Sequence, residues 1–339
     1  MQSKFLGLLG AAILGQSVAG AALAEELNLY TSREPKLVEP LLESFQKATG
    51  IKVNTIFLKD GMPERVEQEG AASPADVLMT VDIGNLVDLV DRGLTQPVQS
   101  EVLTAAIPQN LRDKDGNWFA LSLRGRALYA AKDLDLTSFH YEDLAKPEWK
   151  GKVCIRSGQH PYNVALTASY ITHHGVDETK AWLEGVKANL ARKAGGGDRD
   201  VARDIMGGIC DIGIANTYYV GLMRSGAGGP EQEEWAKAVK LILPTFEDGG
   251  TQVNVSGAAV AKHAPNREQA VKLLEYLVSD EAQKIYAEAN FEYPVKPGIP
   301  VSPLVGEFGE LKVDPTDLTA IARERKTASE LAEQVGFDN

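Results

Sequence analysis

The chain has 339 residues, 44% of them hydrophobic and 24% charged, with a net charge of −12 at pH 7. This is an ordinary globular balance in a length that exceeds what one core usually carries, so two lobes are expected. An acidic chain with no Lys/Arg block is a poor candidate for nucleic acid or anionic lipid, but it is compatible with attracting a cation.

Residues 1–24 read as a cleavable export signal. Lys4 gives a small positive start, Phe5 to Leu14 is apolar, and Ala22-Leu23-Ala24 is a small-residue cleavage site just before Glu25-Glu26. The apolar run is interrupted by Gln16, Ser17 and several glycines, and it falls short of the roughly 20 residues a bilayer span needs. No cysteine stands at the cut, which argues against a lipid anchor. The remaining chain is expected to be soluble, exported to the periplasm, and free of stable membrane insertion.

After the cut, Glu26 to Tyr30 alternates like a strand. Lys36 to Thr49 carries an apolar helical face through Leu37, Leu41, Leu42 and Phe45, and Gly50 stands where a helix ends. Ile51 to Leu58 is the next strand, so the chain opens β-α-β. Pro63 to Gly70 is helical. Asp76 to Thr80 is a near-continuous apolar strand, as in buried parallel sheets. Ile83 to Asp91 is helical, and Trp118 to Ala131 reads as two extended segments around Arg124-Gly125-Arg126. The spacing then predicts a strand over 152–156, helices over 162–173, 179–189 and 200–206, and strands over 209–215 and 253–261. Helices follow over 267–278 and 281–289, and a polar helix over 318–335. The fold class is therefore α/β, and ligands of such sheets bind at the carboxyl ends of strands.

Those strand ends carry the chemistry. Tyr218 and Tyr219 follow the strand ICDIGIA, and Tyr162 follows KVCIR through a short turn. Taken alone, each could be a core or surface tyrosine. Together, three phenols can converge on one site. A phenol ionises near pH 10 in water, so it becomes an anionic ligand at neutral pH only beside a strong positive charge such as a trivalent metal. Three hard tyrosinate oxygens would neutralise Fe(3+). Arg124 and Arg126 lie two apart on an extended segment and share a face, an arrangement suited to a carboxylate or carbonate or, more plainly, to surface ion pairs. Cys154 and Cys210 are an even pair in an exported chain, where a disulfide is expected if their Cα atoms lie close enough. His160, near Tyr162, reads as a loop or supporting residue, His173-His174 as the end of a helix where cationic side chains favour the dipole, and His140 and His263 have no partners in sequence. There is no GxSxG elbow, no HExxH, and no phosphate loop after Gly195-Gly196-Gly197.

Several segments resemble one family. LNLYTSR (27–33), SPADVLMTVD (73–82), LRGRALYAA (123–131), GKVCIRSGQHPYN (151–163), the long run at 195–221 ending in NTYYVG, and FEYPV (291–295) are similar, in order, to the periplasmic ferric-iron-binding proteins of ABC importers. The resemblance covers essentially the whole chain after the signal, and the TYY segment is its most specific part. It implies a two-lobed, type II-like periplasmic-binding-protein fold with a hinge. The first lobe is expected from 25–123 plus 250–300, and the second from 124–249 plus 301–339. It implies Tyr162, Tyr218 and Tyr219 as ferric ligands, and Arg124 or Arg126 for a synergistic anion such as carbonate. The partner implied is an inner-membrane ABC permease, and a monomeric, non-enzymatic carrier is expected. Relatives place a histidine ligand after SR, where this chain has Glu34-Pro35. Glu34 could supply a carboxylate there or stand as a solvated charge. Some relatives carry a glutamate where this chain has Val81, which cannot coordinate. Two rivals stay open: a binding protein of the same fold for a polyamine or thiamine, and a secreted hydrolase.

Overall fold

A computed structural model describes residues 25–339; the expected export signal lies outside the described residues. Ten strands form one curled sheet. They are β1 (Glu26–Thr31), β2 (Lys52–Phe57), β3 (Val77–Thr80), β4 (Thr95–Gln96), β5 (Phe119–Ala131), β6 (Val153–Cys154), β7 (Ile212–Asn216), β8 (Val239–Ile242), β9 (Val253–Ala261) and β10 (Tyr293–Pro294). The order is β2-β1-β3-β9-β5-β7-β6, with β4 on β9 and with β8 and β10 on β5. β1 runs parallel to β2 and β3, and β6 parallel to β7; the pairings of β9 with β3 and of β5 with β9 and β7 are antiparallel.

The β-α-β opening forms as its pattern dictates. Helix Pro35–Thr49 buries Val38, Leu41, Leu42 and Phe45, and Gly50 closes it at φ 74°. That left-handed turn costs glycine nothing. Every residue of β3 and β9 is buried, which explains the near-continuous apolar run of β3; β9 also buries Asn254 and Ser256.

β5 joins the two halves of the sheet. Through Gly125 it pairs with β9, and from Arg126 onward with β7. The two extended segments expected around Arg124-Gly125-Arg126 are thus one strand of 13 residues. Gly125 lets it pass, because a Cβ there would stand 3.2 Å from the Thr217 methyl and 3.5 Å from Leu311.

Other departures are local. The helices expected over 162–173 and 179–189 form one stretch, Pro161–Ala188, broken at Gly175 where φ is 78° and ψ 175°. The polar C-terminal helix is two, Leu318–Arg323 and Arg325–Gln334. Short strands β4, β8 and β10 were not legible, since two to four residues hold too little pattern. Cys154 and Cys210 are bonded, with Cα atoms 5.8 Å apart and a sequence separation of 56. A loop of that length corresponds to about 4 kcal/mol in the chain-entropy account. The bridge ties β6 to the turn that enters β7, the two strands that lead to the tyrosines. Among the described residues, no helix is long and apolar enough to cross a membrane.

Candidate metal centre

The paired tyrosines sit in the first turn of helix Thr217–Arg224, directly after β7. The expected strand-to-loop junction is therefore a strand-to-helix junction. Asn216, the last strand residue, is held on both sides. Its N–H donates to Asp198 Oδ2 at 2.8 Å, and its carbonyl accepts the Tyr129 hydroxyl at 2.8 Å. The backbone that launches Tyr218 and Tyr219 is thereby fixed. Their rings lie against each other with centroids 4.1 Å apart.

Tyr162 enters from helix Pro161–Ala188. Pro161 suits the first helical position, and His160 caps it by accepting the Tyr162 N–H on Nδ1 at 3.2 Å. Burial, and then the Arg156 charge, push His160 down to about 4, so it is neutral at pH 7 and able to accept that bond. The Tyr162 and Tyr218 hydroxyl oxygens stand 3.5 Å apart. Strand ends from two different β-α units thus bring all three predicted tyrosines to one point.

Behind the phenols lies a buried charged network. Asp198 accepts from Arg126 Nη1 at 2.7 Å and from Arg156 Nη1 at 3.1 Å. Arg126 also donates to Asn216 Oδ1 at 3.0 Å and to Asn163 Oδ1 at 2.6 Å. The guanidinium groups of Arg156 and Arg126 lie 5.2 and 5.9 Å from the Tyr162 ring centre, and that of Arg199 lies 5.2 Å from the Tyr219 ring centre. The Arg124 charge at Tyr218 and the Arg156 charge at Tyr219 favour phenolate over phenol. Burial works the other way and wins while no metal is bound. Desolvation, then the neighbouring Tyr162, raises Tyr218 well above the usual phenol value; the same causes push Tyr219 up to about 12.

The two arginines of LRGR are not equivalent. Arg126 spends its Nη atoms on Asp198, Asn216 and Asn163. Arg124 donates through Nη2 to the backbone carbonyls of Val81 and, at 2.9 Å, Val255, and no carboxylate is bonded to it; the buried Nε of both arginines has no hydrogen-bond partner among the described residues. Burial opposes its charge, but Glu292, Tyr162, Tyr218 and Asp82 outweigh that and hold it firmly protonated. Both arginines are buried, so neither forms a surface pair.

Glu34 is exposed and precedes helix Pro35–Thr49 without capping it by a side-chain hydrogen bond. No described contact joins it to the tyrosines. Its neighbour Arg33 is buried and paired with Glu292 at 3.0 Å. Tyr30 is structural: it is buried and donates to Glu69 at 2.9 Å. His173 and His174 are held by carboxylates, His173 by Asp248 and Asp314 and His174 by Glu142. Among the described residues, no group of three or more His, Cys, Asp or Glu side chains could hold a metal ion. Sequence reasoning missed Asp198, Arg156 and Arg199. Asp198 had one signal, an acid opening a helix after three glycines, but nothing in the sequence tells a helix-end acid from a buried hub.

The family described as bacterial extracellular solute-binding protein matches residues 72–306. The "Iron uptake protein A2" of Synechocystis is 41% identical over 324 residues, which is 94% of this chain and 91% of that protein. A "Bordetella ferric binding protein" structure shares 63% identity at a TM-score of 0.90, covering 93% of this chain and all of that one. A Trichodesmium protein solved in complex with iron and citrate ligands shares 41% identity at a TM-score of 0.87, covering 92% of this chain and 99% of that one. With sequence, fold and family match in agreement, this chain belongs to the bacterial extracellular solute-binding proteins.

Proposed function

We propose that this protein captures ferric iron in the periplasm and delivers it to an ABC permease. The observation that carries the reading is the convergence of Tyr162, Tyr218 and Tyr219, with two hydroxyl oxygens 3.5 Å apart and the Tyr219 ring centre 4.1 Å from that of Tyr218. Ferric iron is the cargo. It takes the three phenols as phenolates, and their protons leave to water. Three anionic oxygens balance the 3+ charge and match the hardness of the ion. Arg124, whose Nε is free of protein partners, would hold a companion anion such as carbonate, which would supply further oxygen ligands. Residues 25–123 plus 250–300 form one lobe and 124–249 plus 301–339 the other, closing by a hinge at Gly125 and the neighbouring crossings. The protein works as a monomeric carrier and not as an enzyme. The relatives named for iron uptake and ferric binding, and the one solved with iron and citrate, support this reading over a polyamine or thiamine carrier or a hydrolase.

The test is a visible titration of residues 25–339 with ferric citrate. A tyrosinate-to-iron charge-transfer band that saturates at one iron per chain, and that is lost in Tyr218→Phe, is the expected result. A chain that stays colourless in excess ferric citrate and gains no thermal stability would sink the reading.

A further inference from the structure

We infer that the C-terminal helix pair is a strap across the cleft, and that Arg325 is a positioning residue which sets how fast bound iron is released. The inference rests on the ferric reading above. Arg325 opens helix Arg325–Gln334. Its Nη2 reaches Asp82 Oδ1 at 3.7 Å, with the two side chains 29% and 5% exposed. Asp82 caps helix Ile83–Asp91 and accepts from Asn254 Nδ2 at 2.7 Å. It belongs to the lobe opposite Arg325.

A second observation places the same side chain. A Cβ on Gly84 would stand 2.1 Å from Cδ and Nη1 of Arg325 and 2.2 Å from its Cζ. The end of the Arg325 side chain therefore packs against Gly84, and a side chain there would force it to shift.

The other end of the strap grips the loop that launches Tyr162. One helical turn beyond Arg325, the Ser329 carbonyl accepts from Gln159 Nε2 at 2.9 Å, and the Ser329 hydroxyl donates to Gln159 Oε1 at 2.5 Å. Asp338 accepts from the Gly158 N–H at 2.7 Å and from the Ser157 hydroxyl. On the far side, the Val81 carbonyl next to Asp82 accepts from Arg124, which feels the charges of Tyr162 and Tyr218. One rigid helix thus touches the 81–85 turn of the first lobe and the 157–160 loop of the second. A cavity of about 480 Å³ between these elements, lined by Gly84, Val87, Gln159, Pro161 and Arg325 among others, leaves space for them to separate. Opening the lobes must break the Arg325–Asp82 contact, whereas ligation of iron uses neither residue.

The experiment compares residues 25–339 with Arg325→Ala, Gly84→Ala and the double variant. Iron release into excess EDTA is followed by loss of the visible band, and the iron-free chains are compared by small-angle scattering. The strap predicts full iron loading in all variants, release about fivefold faster for each single change, and no further gain in the double variant, because both changes break one contact. It also predicts a larger iron-free radius of gyration in each variant. Unchanged release, or additive effects in the double variant, would overturn it. Should the unaltered chain take no iron, the ferric reading falls, and the scattering comparison alone decides the strap, with equal radii overturning it.

Discussion

The two sides of the cleft are built differently. On the second-lobe side, Tyr218 and Tyr219 stand on a strand end pinned by Asp198 and Tyr129, and Tyr162 stands on a helix start capped by His160. On the first-lobe side, the residue that would offer a ligand, Glu34, is exposed and unattached, while its neighbour Arg33 is buried in an ion pair. One wall is finished before iron arrives and the other is not. Preorganised ligands lower the ordering cost of capture, so the finished wall can bind first and the loose wall close afterwards. The predictions below test how far that asymmetry goes.

The largest effect expected is on pH. In the iron-free wall, burial holds Tyr218 well above the ordinary phenol value and Tyr219 up to about 12, so both are protonated at pH 7. Iron needs both as phenolates, and loading them expels two protons. Affinity therefore rises with pH and falls on acidification, and Tyr218 and Tyr219 alone contribute about a hundredfold per pH unit while both remain protonated in the empty site. Competition against a chelator of known proton linkage between pH 6 and 8 measures the slope. A slope of one proton or less would mean that one tyrosine of the pair is not a ligand.

Next comes the backing of the wall. Asp198→Asn keeps the shape and removes the charge that neutralises Arg126 and Arg156. Both guanidinium groups are largely buried, with 1% and 14% side-chain exposure, so an uncompensated pair is costly. A loss of about 3–5 kcal/mol in urea unfolding is expected, with weaker iron binding because Asn216 and the tyrosines after it lose their anchor. Retained stability would show that the wall is held by backbone packing instead.

The sequence told these two sides apart only in part. β-α-β order, the buried runs of β3 and β9 and the tyrosines at strand ends were legible, because period and strand-end position are local properties. Asp198 was not, since its importance comes from Arg126 and Arg156, which lie 72 and 42 residues away in sequence. The difference between Arg124 and Arg126 was hidden for a similar reason. Two residues apart on a strand they share a face, yet β5 changes neighbours between them, from β9 to β7. The face is shared, but the partners are not.

The smallest effect expected falls on the first-lobe side. Glu34 has no capping bond and no described contact with the tyrosines, and its carboxylate is exposed. Glu34→Gln removes the charge at nearly constant size. If the wall of tyrosines dominates affinity, this change shifts iron binding by no more than about twofold, the usual range for a solvated surface charge. The same titration in both backgrounds gives the comparison directly. A loss of a hundredfold or more would mean that iron binding draws Glu34 onto the metal, as removal of a true ligand requires. The first lobe would then complete the coordination shell, and the asymmetry would belong to the iron-free state alone.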